Sequence, residues 1–377
     1  MRKGIFCVIV CMLMIVSIIV PVSGTTSSEK TSQSLTMENT LYVGGLGPNN
    51  YTKIQDAIND ASEGDTVFVY QGNYFENLII QKSMTLTGES KYVTIIDGNE
   101  TKGADVILIK ADSVTVQGFT IQDAYWGGVY TDYNNGIEIW SDNNIIRDNI
   151  IKGNQNGIQL GEEIKFEGHE NNHSYFNLIK ENQITNNHFI GVYVIYSAHN
   201  EIIKNSISEN GYHGVFLYHG VFLSDDTGQN LISQNIITKH SQVGILSDGE
   251  SNNVIVGNHI VENGEGMHIG PTSSDSIERN NIFNNTINAI VYCGIGLYLR
   301  HVVILKDKQW LNQSWNENYW GQPYQNPQPI TYRITLSILT IIINHMNPRE
   351  PYRIIFIPIT YYDSAPAQEP YDIPLGV

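Results

Sequence analysis

Between residues 143 and 290, short apolar alternations recur between asparagines, and their spacing carries the architecture. The stretch NNIIRDNIIKGNQNGIQL, residues 143–160, sets the pattern: an Asn, two isoleucines, a second Asn five positions on, two more isoleucines, then Gly-Ile-Gln-Leu. The same frame pairs Asn144 with Asn149, Asn177 with Asn182, Asn200 with Asn205, Asn230 with Asn235, Asn253 with Asn258, and Ser276 with Asn281. Steps between the second members are 33, 23, 30, 23 and 23 residues, a period of 23 with insertions of 10 and 7. Eight or nine residues after each second member stands a small residue, Gly157, Gly191, Gly214, Gly244, Gly266 or Ala289. A triplet such as Val192-Tyr193-Val194 or Val215-Phe216-Leu217 follows.

Alternation with period two over three or four residues predicts very short strands, and 23 residues leave no room for an ordinary helix. A fixed period between 20 and 50 residues signals stacked repeats. Three strands per unit make one rung of a parallel β-helix, an all-β solenoid of about ten rungs between residues 41 and 304. Rungs stack about 4.8 Å apart, so each corner Asn sits over its equivalent and can hydrogen-bond to it in a ladder. Asn also tolerates a left-handed turn conformation, while the flanking isoleucines fill the coil. Stack ends expose apolar interior and sheet edges that need covering. At the front, a capping helix is predicted over residues 51–62, with Ile54, Ala57, Ile58 and Ala61 on one face and Thr52 as N-cap. From 305 to 377 the period gives way to an aromatic and Pro-rich cap and tail, in which Trp310, Trp315, Tyr319 and Trp320 pack on the last rungs. The apolar runs ITLSILTIIINHM and RIIFIPITYY are read as strands closing the stack.

Composition adds compartment. The start MRKGIFCVIVCMLMIVSIIVPVSG combines Arg2 and Lys3, an apolar run and small residues, the pattern of a signal peptide over residues 1–24. Its run is also near the length of an uncleaved membrane anchor. Residues 25–40 form a Ser/Thr-rich spacer. Cys7 and Cys11 lie in the leader, leaving Cys293 alone, so the mature chain is held by its core rather than by disulfides. A formal charge of −17 argues against nucleic acid, whose phosphates require Lys and Arg. Glycosylation sequons occur at Asn50, Asn99, Asn172, Asn284 and Asn312.

The GDTVFVYQGNYFEN start, the N-x4-N rungs and the NYWG segment resemble right-handed β-helix proteins with the NosD-type periplasmic copper-binding repeat, also grouped as a carbohydrate-binding and sugar-hydrolysis domain. Exported archaeal members are the nearest in pattern. The resemblance covers residues 41 to about 322 and returns at Pro366–Ile373. It implies a right-handed coil. Function does not follow from it, because pectin-degrading enzymes, uronan epimerases, phage tailspikes and a copper-maturation factor share these rungs.

Candidate chemistry lies on one face. The central residue of each triplet points outward, giving a stripe of Glu138, Gln159, Tyr193, Phe216, Leu246 and His268 suited to sugar through aromatic stacking and amide or carboxylate hydrogen bonds. Two insertions overhang it. The first carries Glu162, Glu163, Glu167, His169, Glu170 and His173; its carboxylates are acid–base or Ca²⁺-ligand candidates, and His169 with His173 a metal candidate. The second contains YHGVFL twice in tandem, at 212–217 and 218–223, followed by Asp225 and Asp226. Polygalacturonases of this fold use an Asp pair with a Gly-His-Gly turn. Here His219-Gly220 precedes the Asp pair, and neither Gly-His-Gly nor Arg-Ile-Lys occurs. The Asp-Pro-His-Glu signature of the epimerases is also missing. For copper, Met267 and His268 adjoin and His259 lies one strand away, but adjacent strand residues face opposite sides. The resulting expectation is an exported surface protein that binds polysaccharide. A polysaccharide lyase or glycoside hydrolase acting on uronate polymers, and a copper-handling protein, are the alternatives.

Overall fold

The computed structural model describes residues 39–98, 103–124, 134–162, 173–220, 228–249, 252–270, 274–294, 314–316, 318–319, 328–335, 356–363 and 370. Three sheets run the length of a coil. The first has eleven strands, from Thr40–Val43 and Thr66–Val69 to Ser314–Asn316. The second has nine, from Gly72–Phe75 to Asn281–Phe283. The third has eleven, from Leu78–Ile80 through Ile287–Gly294 to Gln328–Thr335, closed by Phe356–Asp363. All pairings are parallel except the last, where Phe356–Asp363 runs antiparallel to Gln328–Thr335, and the register shifts once, between Tyr218 and Gly220. The chain passes from the first sheet to the second and third and back, completing nine three-strand coils among the described residues. This is a right-handed parallel β-helix.

In the three-residue strands of the first two sheets the central residue points inward: Ile146, Ile179, Ile202, Ile232, Ile255 and Ile277 from the first sheet, and Ile151, Ile184, Ile207, Ile237, Ile260 and Ile282 from the second, all fully buried. The third sheet supplies two inward residues per coil, such as Val192 with Val194 and Met267 with Ile269. These columns form one continuous apolar core.

Asparagine columns stand at all three corners of the coil, one more than the five-residue pairs revealed. The first runs through Asn144, Asn177, Asn200, Asn230 and Asn253. The second runs through Asn149, Asn182, Asn205, Asn235, Asn258, Asn280 and Asn318. A third, through Asn154, Asn187, Asn210, His240, Asn263 and Asn285, lies five residues further on in each unit. Where Asn follows Asn in a column, the Oδ1 accepts both the backbone N–H and the side-chain amide of the residue one coil earlier, as Asn182 does from Asn149, and most Nδ2 groups also donate to a backbone carbonyl, as Asn182 does to Ile146. Buried polar atoms are thus satisfied, as a coil interior demands.

Two corrections follow. In the last full coil the columns take Asp275 and Asn280, not Ser276 and Asn281; Asp275 accepts the Asn253 N–H, and the step there is 22 residues. The left-handed residue is not the ladder Asn but the one before it. Asp148, Glu181, Lys204, Gln234 and Arg279 all have φ between 51° and 57°. That turn swings the following side chain into the corner and leaves its own side chain outside.

The front of the coil is covered by a helix at Ile54–Asp60, whose Ile54, Ala57 and Ile58 join the core. Thr52 does not cap it. The cap position is Lys53, without a side-chain bond, and the carboxylate of Glu76 accepts the Ile54 and Gln55 N–H groups at 2.8 and 3.0 Å. A buried carboxylate on two free N–H groups satisfies donors the helix cannot and meets its positive end. Glu76→Ala is expected to lower stability by about 1–3 kcal/mol in denaturant unfolding, with Thr52→Ala unchanged.

At the far end the coil passes residue 304. Ser314–Asn316 pairs with Ser276–Glu278, and Asn318 extends the second corner column. Trp310 and Trp320, like residues 1–38 with the predicted leader, lie outside the described residues. No helix among the described residues is long and apolar enough to cross a membrane.

Candidate functional site

The outer face of the third sheet is built by a glycine. A Cβ on Gly157 would meet Gly191 O at 2.5 Å and Ile184 Cγ2 at 2.6 Å, so this position faces the packed interior and only Gly fits. Equivalent contacts hold at Gly136, Gly191, Gly214, Gly244 and Gly266. The kink lets two positions per coil, three residues apart, share the outside. One column runs Glu138, Gln159, Tyr193, Phe216, Leu246, His268. The other contains Asn135 beside Asn156, Ile190 beside His213, and Val243 beside Glu265.

The predicted stripe is therefore a true column, yet half of it is not open surface. Glu138, Gln159 and Tyr193 are only 8%, 2% and 6% exposed, while Phe216 and His268 are half-buried. Tyr193 and Phe216 stack on each other with centroids 5.0 Å apart and planes 12° apart. Ile190, Tyr193 and Ile195 form a second apolar cluster outside the coil, with Phe189, Tyr196, Phe216 and Tyr218 against it. Tyr193 thus turns one ring face to Phe216, and the stacking of sugar expected on it is set against a ring that is almost fully buried.

Polar chemistry concentrates two coils earlier. Asn156 Nδ2 donates to Asn135 Oδ1 at 3.0 Å, and the Asn135 N–H donates to Asp105 Oδ1 at 2.7 Å. Gln159 Nε2 donates to Glu138 Oε1 at 2.8 Å. Among the described residues, Gln159 Oε1 and Asn135 Nδ2 are buried and have no hydrogen-bond partner. Burial holds the Glu138 carboxyl well above the usual carboxylate range, reinforced by the charge of Asp105, a hydrogen bond with it and the charge of Glu162. Burial and the neighbouring Asp105 thus favour the protonated form of Glu138.

At the other end of the face, His268 Nδ1 lies 3.1 Å from Glu265 Oε2. His213 is pushed down to about 4, chiefly by burial, and its Nδ1 has no partner among the described residues. Met267 is in the core, so its sulfur cannot join His268. Of the metal candidates, His173 is committed at Nδ1 to the Tyr196 carbonyl at 2.5 Å and stacks on Tyr175. His169, Glu163, Glu167, Asp225 and Asp226 lie outside the described residues. Among the described residues, no group of three His, Cys, Asp or Glu is placed to hold a metal ion.

Asp105, Asn135, Asn156 and Glu265 were not selected from the sequence. The signal that could have found two of them is the dipeptide Asn-Gly, at Asn135-Gly136 and Asn156-Gly157, each just before an Ile-x-Ile/Leu triplet.

A family model described as a right handed beta helix region matches residues 135–304. A cell surface glycoprotein of Methanothermus fervidus is 29% identical over 284 residues, which is 62% of this chain and 46% of that protein. The β-helix chain thus spans about half the length of this curated relative. Among solved structures, the catalytic domain of an alpha-1,3-glucanase in complex with tetrasaccharides superposes with a TM-score of 0.50 at 11% identity, over 74% of this chain and 55% of that one. A pectin methylesterase from carrot gives 0.46 at 12% identity, over 74% and 82%. At such identities these likenesses show the β-helix fold alone.

Proposed function

We propose that this chain is a surface-displayed β-helix protein that binds polysaccharide along the outer face of its third sheet. The observation that carries this reading is the patch formed by Asn135, Asn156, Gln159 and Glu138. Burial favours the uncharged form of Glu138, and among the described residues two of the patch's buried amide atoms have no hydrogen-bond partner. These two atoms have almost no accessible surface, so a polyhydroxyl ligand reaches them only by displacing what covers them, and in doing so recovers the free energy of an unspent donor and acceptor. The relative named a cell surface glycoprotein supports the surface location.

Binding is favoured over cleavage by the geometry of the acid pair. Glycosidases hold two carboxyls about 5 Å or more apart, on either side of the scissile bond. Glu138 and Asp105 share a hydrogen bond and so lie closer than that.

The test is a glycan array with the full chain, with and without Ca²⁺, followed by titration of each hit against Gln159→Met. The substitution keeps the volume and removes the amide, and is expected to weaken binding at least about tenfold, as the loss of one or two hydrogen bonds does. Unchanged affinity would remove the patch from the site. Alanine at Tyr193 opens the apolar cluster and reads stability rather than binding.

Glu138→Gln separates the enzyme alternative. Because burial favours the neutral carboxyl, which the amide mimics, Glu138→Gln is expected to leave binding intact. Since the carboxyl is raised above its unfolded value, its contribution to stability is present below about pH 4.5 and is lost as pH rises through the raised value. Glu138→Gln is therefore expected to gain stability over the parent as pH rises, read as melting temperature against pH. Reducing ends or unsaturated uronate released by the parent and lost in Glu138→Gln would transfer the case to a hydrolase or lyase.

A further inference from the structure

The corner geometry also sorts the sequons. At each corner the left-handed residue before the ladder Asn carries its side chain outside: Asn143, Asp148, Phe176, Asn186 and Lys239 are all exposed. Asn284 occupies this position before Asn285, with φ 56°, and is exposed. Thr286, the hydroxyl residue of the sequon Asn284-Asn285-Thr286, is exposed as well. Between them Asn285 turns inward and its Nδ2 donates to the Ile260 carbonyl, which anchors the tripeptide to the coil. Asn50 has the opposite environment. Its Nδ2 donates to the Gly44 carbonyl at 2.5 Å, and its amide lies under Gly47, so the fold already uses the atom a glycan would need.

We infer that Asn284 is an N-glycosylation site and that Asn50 is not one in the folded chain. The donor is a polyprenyl-phosphate-linked oligosaccharide. Asn284 Nδ2 forms a bond to the anomeric carbon as that carbon's bond to phosphate oxygen breaks, and the amide proton leaves with the phosphate. The glycan would project from the corner between the second and third sheets, in the last complete coil. Gln159 lies five coils away, about 24 Å at the rung spacing, so the attached sugar leaves the proposed binding patch open.

The inference shares with the surface reading the premise that the chain is exported. To keep the two distinguishable, the full chain is secreted under a host leader fused ahead of Met1, in a host with an N-glycosylation pathway, and its tryptic peptides are examined by mass spectrometry. The expected result is a glycopeptide at Asn284, abolished by both Asn284→Gln and Thr286→Ala, with Asn50 unmodified. Gln already occupies the same corner position at Gln229 and Gln234, both with φ 56°, so Asn284→Gln should fold. Secreted, folded chain with Asn284 unmodified, or with sugar on Asn50 in its place, overturns the inference.

Discussion

Asn187→Ala is expected to destabilise the protein by about 3–6 kcal/mol, whereas Asn186→Gly, one residue away, should change stability by less than about 1 kcal/mol. Asn187 Oδ1 accepts the backbone N–H and the side-chain amide of Asn154 at 3.1 and 3.2 Å. Its Nδ2 donates to the Ile151 carbonyl and to Asn210 Oδ1. Alanine orphans two or three buried groups at about 1–3 kcal/mol each and leaves a void in a close-packed corner. Asn186 is exposed, has φ 55°, and its side chain reaches only Thr185 Oγ1. Glycine adopts that backbone without strain. Denaturant titration of both variants checks the pair. Equal effects would mean that the amide column does not hold the coil, since composition and chain position are nearly the same for the two.

The second large effect is on acid stability. His240 replaces Asn in the third corner column and does an amide's work with a neutral ring. Its Nδ1 accepts the Asn210 N–H at 3.2 Å, and Nε2 lies 3.1 Å from the Ile207 carbonyl, to which it donates. Burial pushes its pKa down to about 4, against the opposing pull of the Asn210 and Ile207 carbonyls. Because the folded value is below the unfolded one, the stability this group contributes is fully present above about pH 6.5 and is lost as pH falls towards 4. Each pH unit of difference is worth 1.36 kcal/mol, so the swing is on the order of 3 kcal/mol. His240→Asn, which restores the amide, is expected to leave stability at pH 7 within about 1 kcal/mol of the parent and to recover most of that loss at pH 4. Parallel acid profiles for parent and variant would show that His240 is not a source of acid sensitivity. His213, lowered to about 4 by burial on the outer face, leaves a residual dependence in the variant.

Sequence reading reached the coil because its determinants are local and repeated. An inward Ile every coil and an amide at each corner write themselves into spacing. The third corner column was hidden by its own irregularity, since His240 breaks the run of asparagines and the pairs five apart already explained the period. The slip at Asp275 has a similar source: a carboxylate can accept the column's N–H as Asn does, but a search for asparagine passes over it. The helix cap was misplaced because Glu76 is contributed 22 residues away in sequence. At the candidate site the register was legible and the environment was not. Alternation shows that Glu138, Gln159 and Tyr193 face outward, but burial and ring stacking depend on what packs outside the coil. The pairing of Glu138 with Asp105 joins consecutive coils across an irregular stretch, where no period marks the register.

The claim that the third sheet's outer face is the binding surface is tested most directly by hydrogen–deuterium exchange of the full chain, with and without the glycan that binds most tightly on the array. Added protection is predicted in peptides covering Asn135–Ile139, Asn156–Leu160 and Ile190–Ile195, with no change in Leu178–Lys180 or Glu201–Ile203 of the first sheet. Protection confined to the first or second sheet, or an array on which no glycan binds, would contradict it.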